Sequence, residues 1–241
     1  MVQRAPLDIG GYVLAGGKSS RMGQDKALLE LAGKPLAMHA VTKLRRVCKD
    51  VHILSSRPEL EAFAPLVRDM NEGCGPLAGL EAGLGHSWHD WNLFMPVDMP
   101  FLPSAFLDNW VRTIVAKEKR GARVAMFTVD GVPQPLFCLL HRDVVLFVHE
   151  AMQRGRYKVC PVLEDAGKEL ARRQGVNLGL TFFNLPWDEH AEFTGGQGGG
   201  SGESWWRVTE AQQQAKNLWF ANLNTPDEFG MAEQHLDALD T

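Results

Sequence analysis

The sequence predicts an α/β domain with a mostly parallel central sheet. Three observations carry that reading. Short apolar runs alternate with helical apolar stripes through the first half of the chain, the pattern of a parallel sheet covered on both faces. A glycine-rich segment and a proline-flanked aspartate directly follow two of those runs, where such sheets keep their ligand sites. The composition, 45% hydrophobic and 22% charged over 241 residues, is that of a globular chain able to bury a sizeable core.

In chain order, residues 9–15 read as a short buried strand that runs into 16–23, too rich in glycine to continue it. Pro35 opens a helix in which Leu36, Ala40, Leu44 and Val47 recur at spacings of three or four; a proline suits the first turn, where its missing N–H would have no partner. A second strand is expected over 51–55, a short helix over 77–84 after Gly75-Pro76, and a third strand over 91–97, ending at Asp98-Met99-Pro100. A helix over 104–117 would take Ser104 as its N-cap. Strands over 124–129 and 135–140, a helix over 143–154, a late strand over 219–223 and a final helix over 226–239 complete the reading. Residues 1–241 read as one domain with a Gly-rich insertion around 187–216. Six glycines within 195–202 mark a flexible loop by composition. No strand leads into it and no Gly-Lys-Ser/Thr follows, so it is not a phosphate loop. Trp205 and Trp206 after it either pack it onto the core or form an aromatic ligand surface.

Lys plus Arg number 25 and Asp plus Glu 29, a net charge of -4 that argues against broad nucleic-acid binding. No apolar run approaches the ~20 residues of a membrane span, and residues 1–10 lack the apolar stretch of a signal peptide. Cys48, Cys74, Cys138 and Cys160 form no CxxC pair and read as reduced thiols of a cytoplasmic protein.

Four stretches carry chemistry. In 14–29, Gly16 and Gly17 let a ligand approach the backbone, whose consecutive N–H groups can form an anion nest. Arg21 and Lys26 add positive charge beside it, so the stretch reads as a triphosphate cradle; the alternative is a glycine turn with surface cations. It is neither a Walker A sequence nor GxGxxG. Asp98, stiffened by Pro96 and Pro100, is placed to hold Mg²⁺ against the phosphates, or else merely begins a turn. Gly75 and Gly79 leave room beside a flat base, or serve a tight turn into a small-residue helix. Arg156 and Lys158 make a cationic turn, either solvated or touching an anionic second substrate. His86 and His89 have HxxH spacing but no third ligand nearby in sequence.

Taken in order, Leu14-Ala-Gly-Gly through Arg21-Met-Gly to Asp25-Lys26, Gly75-Pro-Leu-Ala-Gly79, Pro96-x-Asp-x-Pro100 and Asn222-Leu-Asn-Thr-Pro226 resemble the molybdenum cofactor guanylyltransferases, MobA-like nucleotidyltransferases. The resemblance implies a single Rossmann-like domain of glycosyltransferase-A type. It implies transfer of GMP from GTP to molybdenum-molybdopterin with release of pyrophosphate. Leu14, Ala15, Gly16 and Gly17 would line the nucleotide, and Arg21, Gly23 and Lys26 would bind its phosphates. Asp69 would contact the nucleotide, Gly75 and Gly79 would flank the base, and Asp98 would hold Mg²⁺. Arg21, Lys26 and Asp98 would be the catalytic set. Asn222 and Asn224 would serve the pterin side or complete the metal site, with Arg156 and Lys158 also on the pterin side. Ser56 stands where the family often carries asparagine. The implied partners are GTP, molybdenum-molybdopterin and recipient molybdoenzymes, with no nucleic acid and no membrane. Rival readings are transfer of CMP to molybdopterin, transfer of a nucleotide to a sugar or polyol phosphate, and a non-catalytic nucleotide-binding or cofactor-delivery module. The last would carry a damaged metal site, whereas Asp98 and Lys26 are both present.

Overall fold

Alternation of side chains along β1 (Leu7–Leu14) sends Ile9 and Val13 to one apolar core and Tyr12 to another, so this strand is buried on both faces. That requirement builds the layered architecture. The computed structural model describes residues 4–16, 25–68, 74–187 and 208–240. After β1 come a two-stranded ribbon, β2 (Glu30–Leu31) with β3 (Lys34–Pro35), then α1 (Leu36–Arg45), β4 (Cys48–Leu54) and β5 (Leu66–Val67). They are followed by α2 (Pro76–His86), β6 (Trp91–Pro96), α3 (Ser104–Val115), β7 (Val124–Val129) and β8 (Val132–His141). The later elements are α4 (Val145–Gln153), α5 (Val159–Gln174), α6 (Leu178–Thr181), β9 (Phe182–Trp187), α7 (Glu210–Gln214) and α8 (Pro226–Ala232).

Seven strands form one sheet in the order β5-β4-β1-β6-β8-β7-β9. Only β8 runs antiparallel to its neighbours, so the mostly parallel sheet expected from the alternation is present. Register sets the site: Leu14 of β1 lies between Leu54 of β4 and Pro96 of β6. Three strands therefore end level, and the residues after them emerge at one edge. On one face, α1 and α3 pack with Trp219, Phe220 and Leu223 from the C-terminal segment. On the other, α2, α4 and α5 bury Leu77, Leu80, Val148, Val162 and Leu163.

Three expectations are corrected. Residues 219–223 form no strand: a 3₁₀ turn, Lys216–Leu218, leads into irregular backbone. Trp219 there packs against Phe106 and Trp187, with its indole N–H donated to the Gln212 carbonyl at 2.8 Å. Ser104 does not cap α3, for the N-cap is Pro103. The Ser104 amide instead donates to the Asp240 carboxylate at 2.8 Å. The final helix stops at Ala232 and continues as the 3₁₀ segment Glu233–Ala238, kinked at His235. Two elements the sequence analysis leaves unassigned, α5 and β9, complete one layer and one sheet edge. Among the described residues no helix is long and apolar enough to cross a membrane.

Candidate active site

The carboxyl ends of β1, β4 and β6 are laced together just past the strands. The Ala15 amide donates to the Leu54 carbonyl and the Val97 amide to the Leu14 carbonyl, both at 3.2 Å. Ala15 is buried here and Gly16 is exposed at the edge. Asp98 follows two residues past the end of β6.

Lys26 reaches the same place from a short 3₁₀ turn, Lys26–Leu28. Asp25 caps that turn by accepting from the Ala27 amide at 3.1 Å, and it also forms an ion pair with Arg57 beyond β4. So fixed, the Lys26 ammonium pairs with Asp98 Oδ2 and donates to Asn224 Oδ1 at 2.5 Å. The Lys26 and Asp98 side chains are only 14% and 16% exposed, so their charges meet largely out of water. Asn224 is delivered by the C-terminal segment, whose Leu223 amide donates to the Asp98 carbonyl at 3.1 Å.

The other oxygen, Asp98 Oδ1, is buried and has no hydrogen-bond partner among the described residues. A buried carboxylate oxygen left unpaired is costly unless something occupies it. A hard cation suits it, and Mg²⁺ is commonly held by one or two carboxylates plus phosphate oxygens and water. No group of three or more His, Cys, Asp or Glu converges among the described residues. Asp98 Oδ1 is thus a single carboxylate oxygen suited to a hard cation that would take its other oxygens from substrate and water.

Gly75 and Gly79 lie at the start of α2, beside this edge. Gly75 takes a positive φ of 77° directly before Pro76, a conformation that favours glycine. A Cβ on Gly79 would lie 3.2 Å from Leu14 Cδ2, so α2 presses close to the end of β1. Glycine here has a packing reason whether or not a base sits alongside.

The remaining expected residues divide. Gly17, Arg21, Gly23 and Asp69 lie outside the described residues, as do Trp205 and Trp206. Ser56 is exposed after Ser55, whose hydroxyl accepts from the Arg57 amide at 3.2 Å. Asn222 supports Asn224 through its carbonyl, which accepts from Asn224 Nδ2 at 3.0 Å. Arg156 is paired with Asp165 at 2.5 Å, and Lys158 is the exposed N-cap of α5. Tyr157 between them hydrogen-bonds the Cys74 thiol, which pushes the phenol above its ordinary value. The cationic turn thus sits against the start of the Gly75 loop. His86 and His89 serve separate partners, the Tyr12 hydroxyl at 3.3 Å and Asp50 at 2.7 Å. Sequence reasoning misses Arg57 and Glu228. The latter accepts from the Asn224 amide at 2.5 Å and holds its carboxyl below the usual range chiefly through that bond.

Known proteins resemble the chain at three levels. The model of the MobA-like NTP transferase domain matches residues 11–169. A molybdenum cofactor guanylyltransferase of Serratia proteamaculans is 34% identical over 167 residues, covering 66% of this chain and 81% of that protein. One from Yersinia pestis is 32% identical over 187 residues, covering 75% and 93%. In fold, the chain is similar to the crystal structure of molybdopterin-guanine dinucleotide biosynthesis protein A from Archaeoglobus fulgidus. The TM-score is 0.61 at 20% identity, covering 93% of this chain and 97% of that one.

Proposed function

The chain belongs to the MobA-like NTP transferase family, and from that premise we propose that it is a molybdenum cofactor guanylyltransferase. It transfers GMP from GTP to molybdenum-molybdopterin and releases pyrophosphate. The observation that carries this reading is the convergence of Lys26, Asp98 and Asn224 at the carboxyl edge of parallel strands. The buried Asp98 Oδ1 without a partner is an intact metal position, which a damaged, non-catalytic site would lack.

The terminal phosphate of molybdopterin, already anionic, attacks the α-phosphorus of GTP in line. The new P–O bond forms as the bond from the α-phosphorus to the bridging oxygen breaks, and that electron pair leaves with pyrophosphate. No general base is required, so the chain contributes position and charge. Asp98, through its unpaired Oδ1, would hold Mg²⁺, which would neutralise charge on the nucleotide phosphates, and Asn224 lies beside it. In the free chain Lys26 covers one Asp98 oxygen. It leaves that oxygen for the nucleotide phosphates, a point charge exchanging one anionic partner for another. Arg21 is assigned to the departing pyrophosphate by its place in the sequence motif alone. Reduced Cys48, Cys74, Cys138 and Cys160, none disulfide-bonded, support a cytoplasmic setting.

Thermal stabilisation with Mg²⁺ and one of GTP, CTP, ATP or UTP tests the reading. A ligand at 100 times its dissociation constant adds ~2.7 kcal/mol, a clear shift in Tm. GTP is expected to give the largest shift, followed by GMP transfer to molybdopterin. A larger shift with CTP would move the assignment to a cytidylyl transferase, and no shift with any nucleotide would overturn it.

A further inference from the structure

Asn224 is exposed, yet its side-chain oxygen, side-chain nitrogen and backbone N–H are all engaged. Its side-chain oxygen accepts from Lys26 at 2.5 Å, and its side-chain nitrogen donates to the Asn222 carbonyl at 3.0 Å. Its backbone N–H donates to Glu228 Oε2 at 2.5 Å. Surface asparagines in turns do not ordinarily carry three fixed bonds, and the third is the informative one.

Glu228 belongs to a capping box at the start of α8. The Thr225 hydroxyl accepts from the Glu228 amide at 3.2 Å, and the Glu228 carboxylate accepts from the Thr225 amide at 2.8 Å. These two reciprocal bonds satisfy the helix start. The bond from the Asn224 amide to the same carboxylate oxygen adds nothing that the helix needs. It fixes the residue before the cap, the one whose side chain meets Lys26. With Leu223 tied to the Asp98 carbonyl one residue earlier and the Thr225 amide bonded to Glu228 one residue later, the backbone is clamped on both sides of the Asn224 side chain.

We propose that Glu228 is a positioning residue of the active site. By gripping the Asn224 amide, it holds Asn224 Oδ1 against Lys26 beside Asp98. This rests on the guanylyltransferase reading for its kinetic consequence and on the hydrogen bonds alone for its structural one. Displacing a positioned group by about 1 Å can cost up to ~100-fold in rate, so releasing Asn224 lowers kcat rather than abolishing the fold.

The experiment compares Glu228→Ala, Glu228→Gln, Asn224→Ala and the double variant Glu228→Ala/Asn224→Ala. GMP transfer from GTP to molybdopterin is assayed, with amide hydrogen exchange followed across residues 222–228. Glu228→Ala is expected to lose about 10- to 100-fold in kcat and to expose the Asn224 and Thr225 amides to exchange. Glu228→Gln, whose side-chain oxygen can accept the same two amides, is expected to restore both. The double variant is expected to be no slower than Asn224→Ala alone, since the two side chains act as one unit. Losses that multiply in the double variant would overturn the proposal, as would a Gln variant as slow as Ala. If the wild type transfers no GMP, the guanylyltransferase reading fails, and exchange then decides the positioning role by itself. An Asn224 amide equally protected in wild type and Glu228→Ala would refute it.

Discussion

The two oxygens of Asp98 have different surroundings, one covered by Lys26 and the other buried without a partner. Chemistry that depends on the charge of this group, and not only its shape, can be separated by Asp98→Asn. The amide can still accept from Lys26, so the fold is expected to hold while turnover falls ~100-fold or more, the scale of losing one strong electrostatic contributor. Initial rates at saturating GTP check this, and near-normal rates would remove Asp98 from the metal role. Single residues were legible where a motif carries them: Lys26, Asp98 and Asn224 stand in three separate blocks and meet in space. Arg57 was not legible, because its pairing with Asp25 joins two loops 32 positions apart in number and leaves no local signal. Glu228 was half legible. Thr225-Pro-Asp-Glu228 spells a capping box, but no spacing rule reveals the extra bond to Asn224.

Helix α3 starts with its amide bound to a carboxylate from the far end of the chain. Asp240 accepts from the Ser104 amide at 2.8 Å, from Gln212 Nε2 at 3.0 Å and from Lys43 Nζ at 2.8 Å. Lys43 in α1 is only 2% exposed, so Asp240 is its counter-charge in the core. Asp240→Ala would strand a buried ammonium and is expected to cost ~3–5 kcal/mol in urea unfolding at neutral pH. Burial works to raise the Asp240 carboxyl, but Lys43 and the Ser104 amide outweigh it and leave the group below its ordinary value. Its stabilisation is therefore present above the unfolded carboxylate range, near pH ~4, and is lost as pH falls through the lower folded value. The gap between wild type and variant should narrow in acid; a constant gap would contradict the ion pair. Elements were legible where local pattern and tertiary need agree, as for β1, α1, β6 and α4. Residues 219–223 look like a strand because aromatic and apolar side chains crowd there. Their burial comes from packing on Phe106 and Trp187, without a ladder partner. In α5 the stripe Val159, Val162, Leu163, Ala166 and Leu170 has helical spacing, and Pro161 falls in the first turn, where the missing N–H costs little. That signal is in the sequence, behind a turn that draws attention to its charges.

The sheet separates two apolar cores, and β1 contributes to both. The C-terminal segment places Trp219, Phe220 and Leu223 in the larger one, so it shares its core with α1 and α3. We therefore propose that the chain unfolds as one cooperative unit. Urea transitions followed by tryptophan fluorescence and by far-UV circular dichroism are expected to coincide; a separate early fluorescence transition would show that the C-terminal segment detaches alone. The parallel sheet and its working edge were legible at this scale, since alternation of elements determines on which edge the loops gather. The closing of that edge by the far end of the chain was not, because contact between distant segments has no period to read. Lys26 and Asn224 are 198 residues apart. At about 5–20 residues per second of ribosomal synthesis, roughly 10–40 s pass between the emergence of one and the other. During that interval a nascent chain carries the strands and Asp98 but not Asn224, so under the proposed reading turnover is expected only after the final segment has been made.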